Sequence, residues 1–213
     1  MHKKLTDKQV ERILDCATEL FGKYEPARVA VSQIAMKADV SVGVIYKYFG
    51  SKQALVDACL SRSLSFLDRA IERAVSDSTS LADFSDRLAK AAVSFSKKHP
   101  SCIRMYHVIT ATGSEKSQRQ YARKIESGSL ASYTETFAKA QKKGLIREDM
   151  SPSFLAFFFD NLLMMLQFSA GCGYYEERRS ICCGDADDQM MLDQFSRFIQ
   201  SALGLRGEQP EGK

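Results

Sequence analysis

A short stretch between Val31 and Lys52 carries the side chains whose types and spacing point to chemistry. Within VGVIYKYF, residues 42–49, one lysine stands between two tyrosines in a stretch that is otherwise apolar, and Ser41 comes immediately before it. Ammonium and phenol hydroxyl groups commonly contact phosphates, and a small residue such as Gly43 lets a helix come close to a groove. This pattern is typical of a surface that binds nucleic acid.

The same stretch predicts how that surface is built. Two short helices are joined by a tight turn at Asp39, because aspartate is one of the few non-glycine residues that tolerates a left-handed conformation. The helices would be held at a fixed angle by a small apolar set: Ile34, Ala35, Val40, Ile45 and Phe49. With Ile45 and Phe49 inward and Ser41 as the N-cap, the second helix turns the candidate contacts outward: Gly43, Val44, Tyr46, Lys47 and Tyr48.

Charge gives this interpretation local support only. The chain of 213 residues is 45% apolar and 26% charged with a formal net charge of +4, an ordinary globular composition. Through Lys52, nine basic side chains stand against six acidic ones, so most of the excess lies in the first quarter. A solvated basic end of a helical bundle would have the same balance, so charge alone does not decide between the two.

The elements that must position the surface are almost all helical. A T-x-x-Q capping box at Thr6 opens an amphipathic helix that ends near Gly22, and Ser51 opens a longer helix to about residue 75. Further helices are predicted at about 81–98, 101–111, 117–143, 152–171 and 187–204. An irregular connection is expected between the last two, and no alternating stretch favours a sheet, so the predicted fold is all-α.

The longest apolar stretch, Phe154–Gly171, is barely long enough to span a bilayer and contains Asp160, Asn161 and Gln167. A charged residue near a bilayer centre costs about 2.5–3.5 kcal/mol, so a buried helix is expected and no membrane partner. The start, MHKKLTDKQV, lacks the apolar core of a secretory signal, so we expect a cytoplasmic chain.

Residues suited to catalysis or metal binding are sparse. The chain has three histidines: His2, His99 and His107. Nucleophile motifs, a P-loop, a dinucleotide fingerprint and HExxH are missing from the sequence, so we expect neither an enzyme nor a cofactor. The six cysteines form no CxxC pair and no metal site is predicted. Three of them, Cys172, Cys182 and Cys183, flank the irregular connection and leave a redox or soft-metal response open.

Residues 13–55 resemble the N-terminal DNA-binding domain of the tetracycline-repressor (TetR) family. The resemblance is carried by ILDCATELF in the first helix, IAMKADVS into the turn, VGVIYKYF as recognition helix and GSKQAL at the start of the fourth helix. It implies that Ser41 caps the recognition helix and that Gly43 and Val44 approach bases. Contacts to phosphates or bases are implied for Tyr46, Lys47 and Tyr48, and a phosphate contact by the N-terminus of the fourth helix is implied for Lys52.

The resemblance also implies a division of the chain. A helix-turn-helix domain would occupy 1–52, linked by the helix at about 51–75 to an effector-binding and dimerisation domain at 76–204. The tail, 205–213, is expected to be disordered. The partners implied are a double-stranded DNA operator, a second copy of the chain and a small-molecule effector.

The helix at 152–171 is apolar on nearly all sides, so it must be covered on several faces. We expect it to pair with the last helix and their symmetry mates in a four-helix dimer interface, although a monomeric core is the alternative. The predicted interface residues are Phe154, Phe158, Leu162, Met165, Phe195, Phe198 and Ile199.

An effector cavity is a weaker expectation, because apolar side chains with a few polar tips are equally typical of core packing. Its candidate lining is Met105, Tyr106, His107, Tyr121, Phe137, Phe158 and Met165.

Together these observations predict a homodimeric transcriptional repressor that a small molecule releases from an inverted-repeat operator. The alternative is a DNA-binding regulator without such an effector, controlled by redox state, a metal or a protein.

Overall fold

The computed structural model describes residues 5–205, except the side chains of Leu67 and Ser127. In this part of the chain there are ten α-helices, a 3-10 helix at Pro26–Arg28 and no strand, which confirms the all-α fold. The α-helices are α1 (Asp7–Lys23), α2 (Val31–Ala38), α3 (Val42–Phe49), α4 (Lys52–Asp77), α5 (Leu81–Lys98), α6 (Pro100–Ala111), α7 (Glu115–Lys142), α8 (Pro152–Phe168), α9 (Gly173–Cys183) and α10 (Asp188–Leu203).

Side-chain caps fix where several helices begin. At α1, the backbone N–H of Thr6 donates to Gln9 Oε1 at 3.0 Å and the N–H of Gln9 donates back to Thr6 Oγ1 at 3.3 Å, which is the predicted capping box. At α10, Asp187 Oδ1 accepts from the N–H of Met190 at 2.8 Å. Each of these bonds satisfies an amide that has no partner inside its own helix.

The prediction of an irregular connection after α8 is wrong, because most of this segment forms the helix α9. The carbonyl of Cys172 accepts from the N–H groups of Tyr175 and Glu176 at 2.9 and 3.0 Å and begins this helix. Most of its side chains are exposed, so it lacks the apolar stripe by which sequence analysis finds helices. At a rise of 1.5 Å per residue, this helix separates Cys172 from Cys182 by about 15 Å, so the three thiols do not lie in one loop.

The chain divides into two compact units, and α4 contributes to both. The first unit comprises the described part of 1–66 together with 99–123, and the second comprises 67–98 together with the described residues from 124 onward. Of the predicted tail, only Leu205 is described, and its N–H donates to the carbonyl of Gln200 at 3.0 Å; 206–213 lie outside the described residues.

In the first unit, α1 packs against both α2 and α6. Its core is formed by residues that are almost fully buried: Ile13, Ala17, Phe21, Ile34, Ile45, Leu55, Leu60 and Met105. Gly22 does not end α1 as the sequence suggested but lies inside it, buried against α6. A Cβ atom at this position would lie 2.9 Å from the carbonyl oxygen of Ser101 and 3.2 Å from the backbone nitrogen of Met105. Glycine is therefore required for the close approach of these two helices.

In the second unit, four aromatic rings from three helices form the centre of the core. The ring of Phe159 on α8 lies 5.2 Å from Tyr133, 5.6 Å from Phe137 and 6.2 Å from Phe84.

Within 5–205 no single helix is long and apolar enough to cross a membrane. The pair α8 and α9 reaches that length and composition only together, and it is bent by 98°.

Candidate nucleic-acid interface

The turn between α2 and α3 has the geometry that the sequence predicts. Asp39 ends α2 in the left-handed conformation, with φ 59° and ψ 48°. Val40 then donates its N–H to the carbonyl of Ala35 at 3.0 Å, so the orphan carbonyls at the helix end are used within the turn. Ser41 Oγ accepts from the N–H of Val44 at 3.3 Å, which confirms Ser41 as the N-cap of α3.

The inward facing of α3 is confirmed for Ile45, whereas Phe49, the other residue expected to face inward, is half-buried. Ile45 is almost fully buried, whereas Tyr46 and Tyr48 are 46% and 49% exposed. Gly43 and Lys47 are exposed as well, and Val44 is half-buried. We call these five outward residues, with Ser41, the recognition-helix surface: Ser41, Gly43, Val44, Tyr46, Lys47 and Tyr48. The surface presents one ammonium group and two phenol hydroxyl groups, with apolar atoms between them.

At Gly43, near the N-terminus of α3, no side chain projects from the recognition-helix surface. A Cβ atom there would meet only Ser41 Oγ, at 3.9 Å, so the position is open to the outside rather than required by packing. A helix can come closest to another molecule where it carries no side chain, and the N-terminal residues of a recognition helix are those that reach base edges. The space around Gly43 therefore suits an approach to a groove.

Lys52 is the first residue of α4, and its ammonium group is engaged within the protein. Nζ donates to the carbonyl oxygens of Ala27 and Val29 at 3.2 and 3.1 Å. The cap of α4 is Ser51, whose Oγ accepts from the N–H of Ala54 at 3.0 Å. Two of the three ammonium protons of Lys52 are thus used to hold the segment before α2, an internal role that the sequence did not indicate.

The scaffold behind the surface is held by ion pairs that sequence analysis missed. Arg62 on α4 lies 2.7 Å from a Glu11 carboxylate oxygen and 2.8 Å from one of Asp15, so it joins α4 to α1. Glu19 lies 3.1 Å from Lys23 and from Lys37. Hydrogen bonds from these two lysines, Lys37 first, hold the pKa of Glu19 below its usual value. Arg62 and Lys37 are distant in sequence from their partners, so spacing could not reveal these pairs, whereas Lys23 follows Glu19 by four residues on the same helix.

The predicted effector residues are divided between the two units. Met105, Tyr106, His107 and Tyr121 belong to the first, and Phe137, Phe158 and Met165 to the second. Tyr121 lines an open recess of about 250 Å³ in the first unit, where its hydroxyl accepts from Gln53 Nε2 at 2.8 Å. Burial raises the pKa of Tyr121. Phe137 is fully buried in the aromatic core of the second unit.

The predicted interface residues differ in exposure. Phe154, Phe158 and Phe198 are 62%, 49% and 59% exposed, and so is the neighbouring Phe157, at 52%, which the prediction omitted. Leu162, Met165 and Phe195 are half-buried. Ile199 is a correction: it is only 2% exposed and packs in the core of the second unit, so it has no surface to offer a partner.

The cysteines near α9 also separate by environment. Cys172 is buried, whereas Cys182 and Cys183 are exposed at the other end of the helix. Within residues 5–205, no three side chains of His, Cys, Asp or Glu come together in a way that could hold a metal ion. A soft-metal site shared by these thiols is therefore not supported.

A helix-turn-helix whose second helix faces outward, followed by an all-helical remainder, is the arrangement typical of DNA-binding regulatory proteins. Residues 13–59 match the family model described as bacterial regulatory proteins, tetR family. The helix-turn-helix part of this chain is therefore similar to that family, and the relatives and structural neighbours that it matches are regulators rather than enzymes.

Curated relatives match only over the N-terminal part. An HTH-type transcriptional regulator of Mycobacterium tuberculosis is 36% identical over 72 residues, 34% of this chain and 36% of that protein. The HTH-type transcriptional repressor KstR of Mycolicibacterium smegmatis is 36% identical over 64 residues, 30% of this chain and 31% of that protein. The match thus spans about a third of the length of these relatives.

Solved structures match over nearly the whole chain, at low identity. A tetR-family regulatory protein from Rhodococcus has a TM-score of 0.74 at 16% identity, covering 94% of this chain and 100% of that one. The fatty acid degradation regulator FadR from Bacillus halodurans has a TM-score of 0.72 at 15% identity, covering 96% and 100%. These likenesses support the fold of the whole chain.

Proposed function

We propose that this protein is a homodimeric transcriptional repressor that binds an inverted-repeat DNA operator and is released from it by a small molecule. Each protomer inserts α3 into a major groove. Because the dimer has two-fold symmetry, the operator has the same symmetry, with two half-sites about one helical turn of DNA apart.

The single observation that carries this proposal is the outward face of α3. The N-terminal end of the recognition-helix surface carries no side chain at Gly43, and Tyr46, Lys47 and Tyr48 follow it. The buried Ile45 fixes the orientation of this helix. An ammonium and two phenols supply phosphate contacts, while Val44 offers apolar contact to thymine methyl groups. Since few of these side chains read bases by hydrogen bonds, DNA shape contributes to specificity.

Dimerisation is supported by the exposed aromatic side chains of α8 and α10. Phe154, Phe157 and Phe158 lie within five residues of α8 and are each about half exposed or more, as is Phe198 on α10. Large apolar groups concentrated in this way mark an interaction surface. A second copy of the chain is the expected occupant, because an inverted-repeat operator requires a protein with two-fold symmetry.

Release by an effector requires a ligand with different affinities for the DNA-binding state and the released state. The alternative, a regulator without a small molecule, retains one specific observation in its favour. Cys182 and Cys183 are adjacent and exposed, so an oxidant can reach both. Mild oxidation that leaves DNA affinity unchanged removes the redox version of this alternative.

The test is selection of duplexes from random DNA by the purified protein at about 150 mM salt, where non-specific phosphate binding is suppressed. Enrichment of an inverted repeat supports the proposal, and enrichment of single half-sites contradicts the dimer. If no sequence is enriched, the DNA-binding proposal fails for the free protein. A Lys47→Ala protein selected in parallel should enrich less strongly, whereas Lys142→Ala, an exposed lysine at the end of α7, should match the unchanged protein.

A further inference from the structure

Tyr133 on α7 is buried completely, and its hydroxyl group has no hydrogen-bond partner among the residues that the structure describes. A buried hydroxyl without a partner costs free energy, so such groups are rare unless a ligand or a catalytic role requires them. The Tyr133 ring packs edge-on against Phe159 at 5.2 Å and against Phe84 at 6.3 Å, which fixes the direction of the hydroxyl.

Three carboxyl groups on three helices lie near enough to this hydroxyl to act on it electrostatically. Beyond the effect of burial, Asp160 on α8, Asp68 on α4 and Glu126 on α7 all raise the pKa of Tyr133, in that order of strength. Glu126 lies seven residues before Tyr133 and therefore on the same face of α7. Asp68 lies beside α7, since a Cβ atom at Gly128 would be in ordinary van der Waals contact with Asp68 Oδ1, at 3.6 Å.

Asp160 is the most perturbed of the three. Burial, and then the nearby Glu126, raise its pKa from the usual 3.8 to about 7. Burial also raises the pKa of Glu126. Asp160 is nevertheless only half-buried, so part of the residue is accessible from outside. In the described part of the chain, neither carboxyl receives a hydrogen bond or an ion pair.

A buried acidic group without a basic partner is uncommon, because buried charges are normally paired. The partner that this arrangement lacks is a cation with hydrogen-bond donors or a diffuse positive charge. A bare metal ion does not fit, because these carboxyls are not among any group of three ligands close enough to hold one. The aromatic rings packed against Tyr133, by contrast, suit a cation that carries apolar groups.

We propose that Asp160, Glu126, Asp68 and Tyr133 form a binding site for an organic cation, a protonated amine with an apolar substituent, and that this cation is the effector. The ammonium lies between Asp160 and Glu126, and the Tyr133 hydroxyl donates to a carboxylate or accepts from the ligand. The apolar part packs beside the aromatic core. The regulatory part of this inference rests on the proposed function, whereas the binding part stands without it.

The test uses aryl-alkyl amines with their neutral and anionic counterparts: phenylpropylamine, phenylpropanol and phenylpropionate, and the longer members of each series. Isothermal titration calorimetry on the full-length protein at pH 8 should detect binding of the amines and at least tenfold weaker binding of the alcohols and carboxylates. Binding of the carboxylates as tightly as the amines, or of none of the compounds, overturns the proposal.

Variants assign the binding to this site. Asp160→Asn and Glu126→Gln should each weaken amine binding at least tenfold, and Tyr133→Phe should weaken it severalfold. Glu135→Gln, which alters an exposed carboxyl on the same helix, should leave binding unchanged. Amine binding that is unaffected by Asp160→Asn and Glu126→Gln overturns the site. Since both substitutions remove charge from a buried position, circular dichroism is expected to show folded proteins.

A second readout separates this inference from the proposed function. Fluorescence anisotropy of a selected operator should fall when the amine is added to the unchanged protein and stay constant with Asp160→Asn. If the operator binds but no amine does, the cation site fails and the regulator remains. If the amine binds and no DNA does, the site stands and the proposed function fails.

Discussion

The ammonium group of Lys52 donates to the carbonyl oxygen of Val29 at 3.1 Å, across 23 positions of sequence. The bond joins the start of α4 to the segment that leads into α2, so a residue expected at a phosphate also holds the helix-turn-helix in place. Replacing Lys52 with methionine keeps most of its apolar stem and removes these bonds.

Lys52→Met is expected to lower the free energy of unfolding by about 1–3 kcal/mol, as typical for a lost charged hydrogen bond. Urea denaturation measures this loss, and the salt dependence of operator binding tests the second role. Each phosphate contact contributes about 0.9 to the slope of log K against log salt, so a dimer that loses two contacts loses about 1.8. An unchanged slope would limit Lys52 to its internal bonds.

Lys47→Ala is expected to weaken operator binding about tenfold or more while leaving the midpoint of thermal unfolding unchanged, because the side chain is exposed and points outward. Tyr46→Phe, which removes only a hydroxyl, should have a smaller effect. Anisotropy titration and differential scanning calorimetry on the same samples measure the two properties. If either variant unfolds at a markedly lower temperature, α3 is oriented differently.

Phe158→Asp should yield a folded monomer rather than an unfolded chain. The side chain is about half exposed in a single protomer, so the carboxylate is buried and unpaired only when a second copy covers it. Sedimentation should give about twice 23.8 kDa for the unchanged protein and 23.8 kDa for the variant. Tyr174→Asp, on the exposed side of α9, is the control that should remain dimeric.

Asp160 should make the stability of the protein depend on pH. Because its pKa is raised from 3.8 to about 7 in the folded state, the folded chain keeps a proton that the unfolded chain has lost within that range. The free energy of unfolding should therefore fall as pH rises from about 4 to 7, by up to about 1.4 kcal/mol for each unit of pKa difference.

The groups that face Asp160 enter this measurement too. Glu126 on α7 also has a raised pKa, so its own titration adds to the slope in the same direction. Asp160→Asn should flatten the dependence, while Asp185→Asn, in the exposed turn before α10, should preserve it. A wild-type profile that is flat from pH 4 to 7 would contradict the burial of this carboxyl.

Gly22→Ala should destabilise the protein by about 1–3 kcal/mol, the usual cost of forcing an extra methyl group into a packed site. The added Cβ would lie 2.9 Å from the backbone of α6, and a backbone cannot move aside as a side chain can. Gly128→Ala is the matched control, because a Cβ there meets only a side-chain oxygen at 3.6 Å. That change should be neutral or stabilising by up to about 1 kcal/mol.

Local patterns in the sequence were enough to predict the recognition helix. The cap at Ser41, the left-handed Asp39 and the inward Ile45 each depend on residues within a few positions, so spacing alone revealed them. The helix α9 was missed because its side chains are mostly exposed. The bonds of Lys52, the burial of Ile199 and the site around Tyr133 depend on residues far apart in sequence, and no local pattern indicates them.

Gly22 also affects how far α1 and α6 can shift relative to each other in the first unit. Two helices that touch through side chains can slide a little as rotamers change, but α1 and α6 touch backbone to backbone at this glycine. This close approach leaves little room for the two helices to shift independently, so we expect a displacement of α6 to move α1 as well. Because α1 packs against α2, the orientation of the DNA-binding helices is coupled mechanically to α6, an element outside the helix-turn-helix itself.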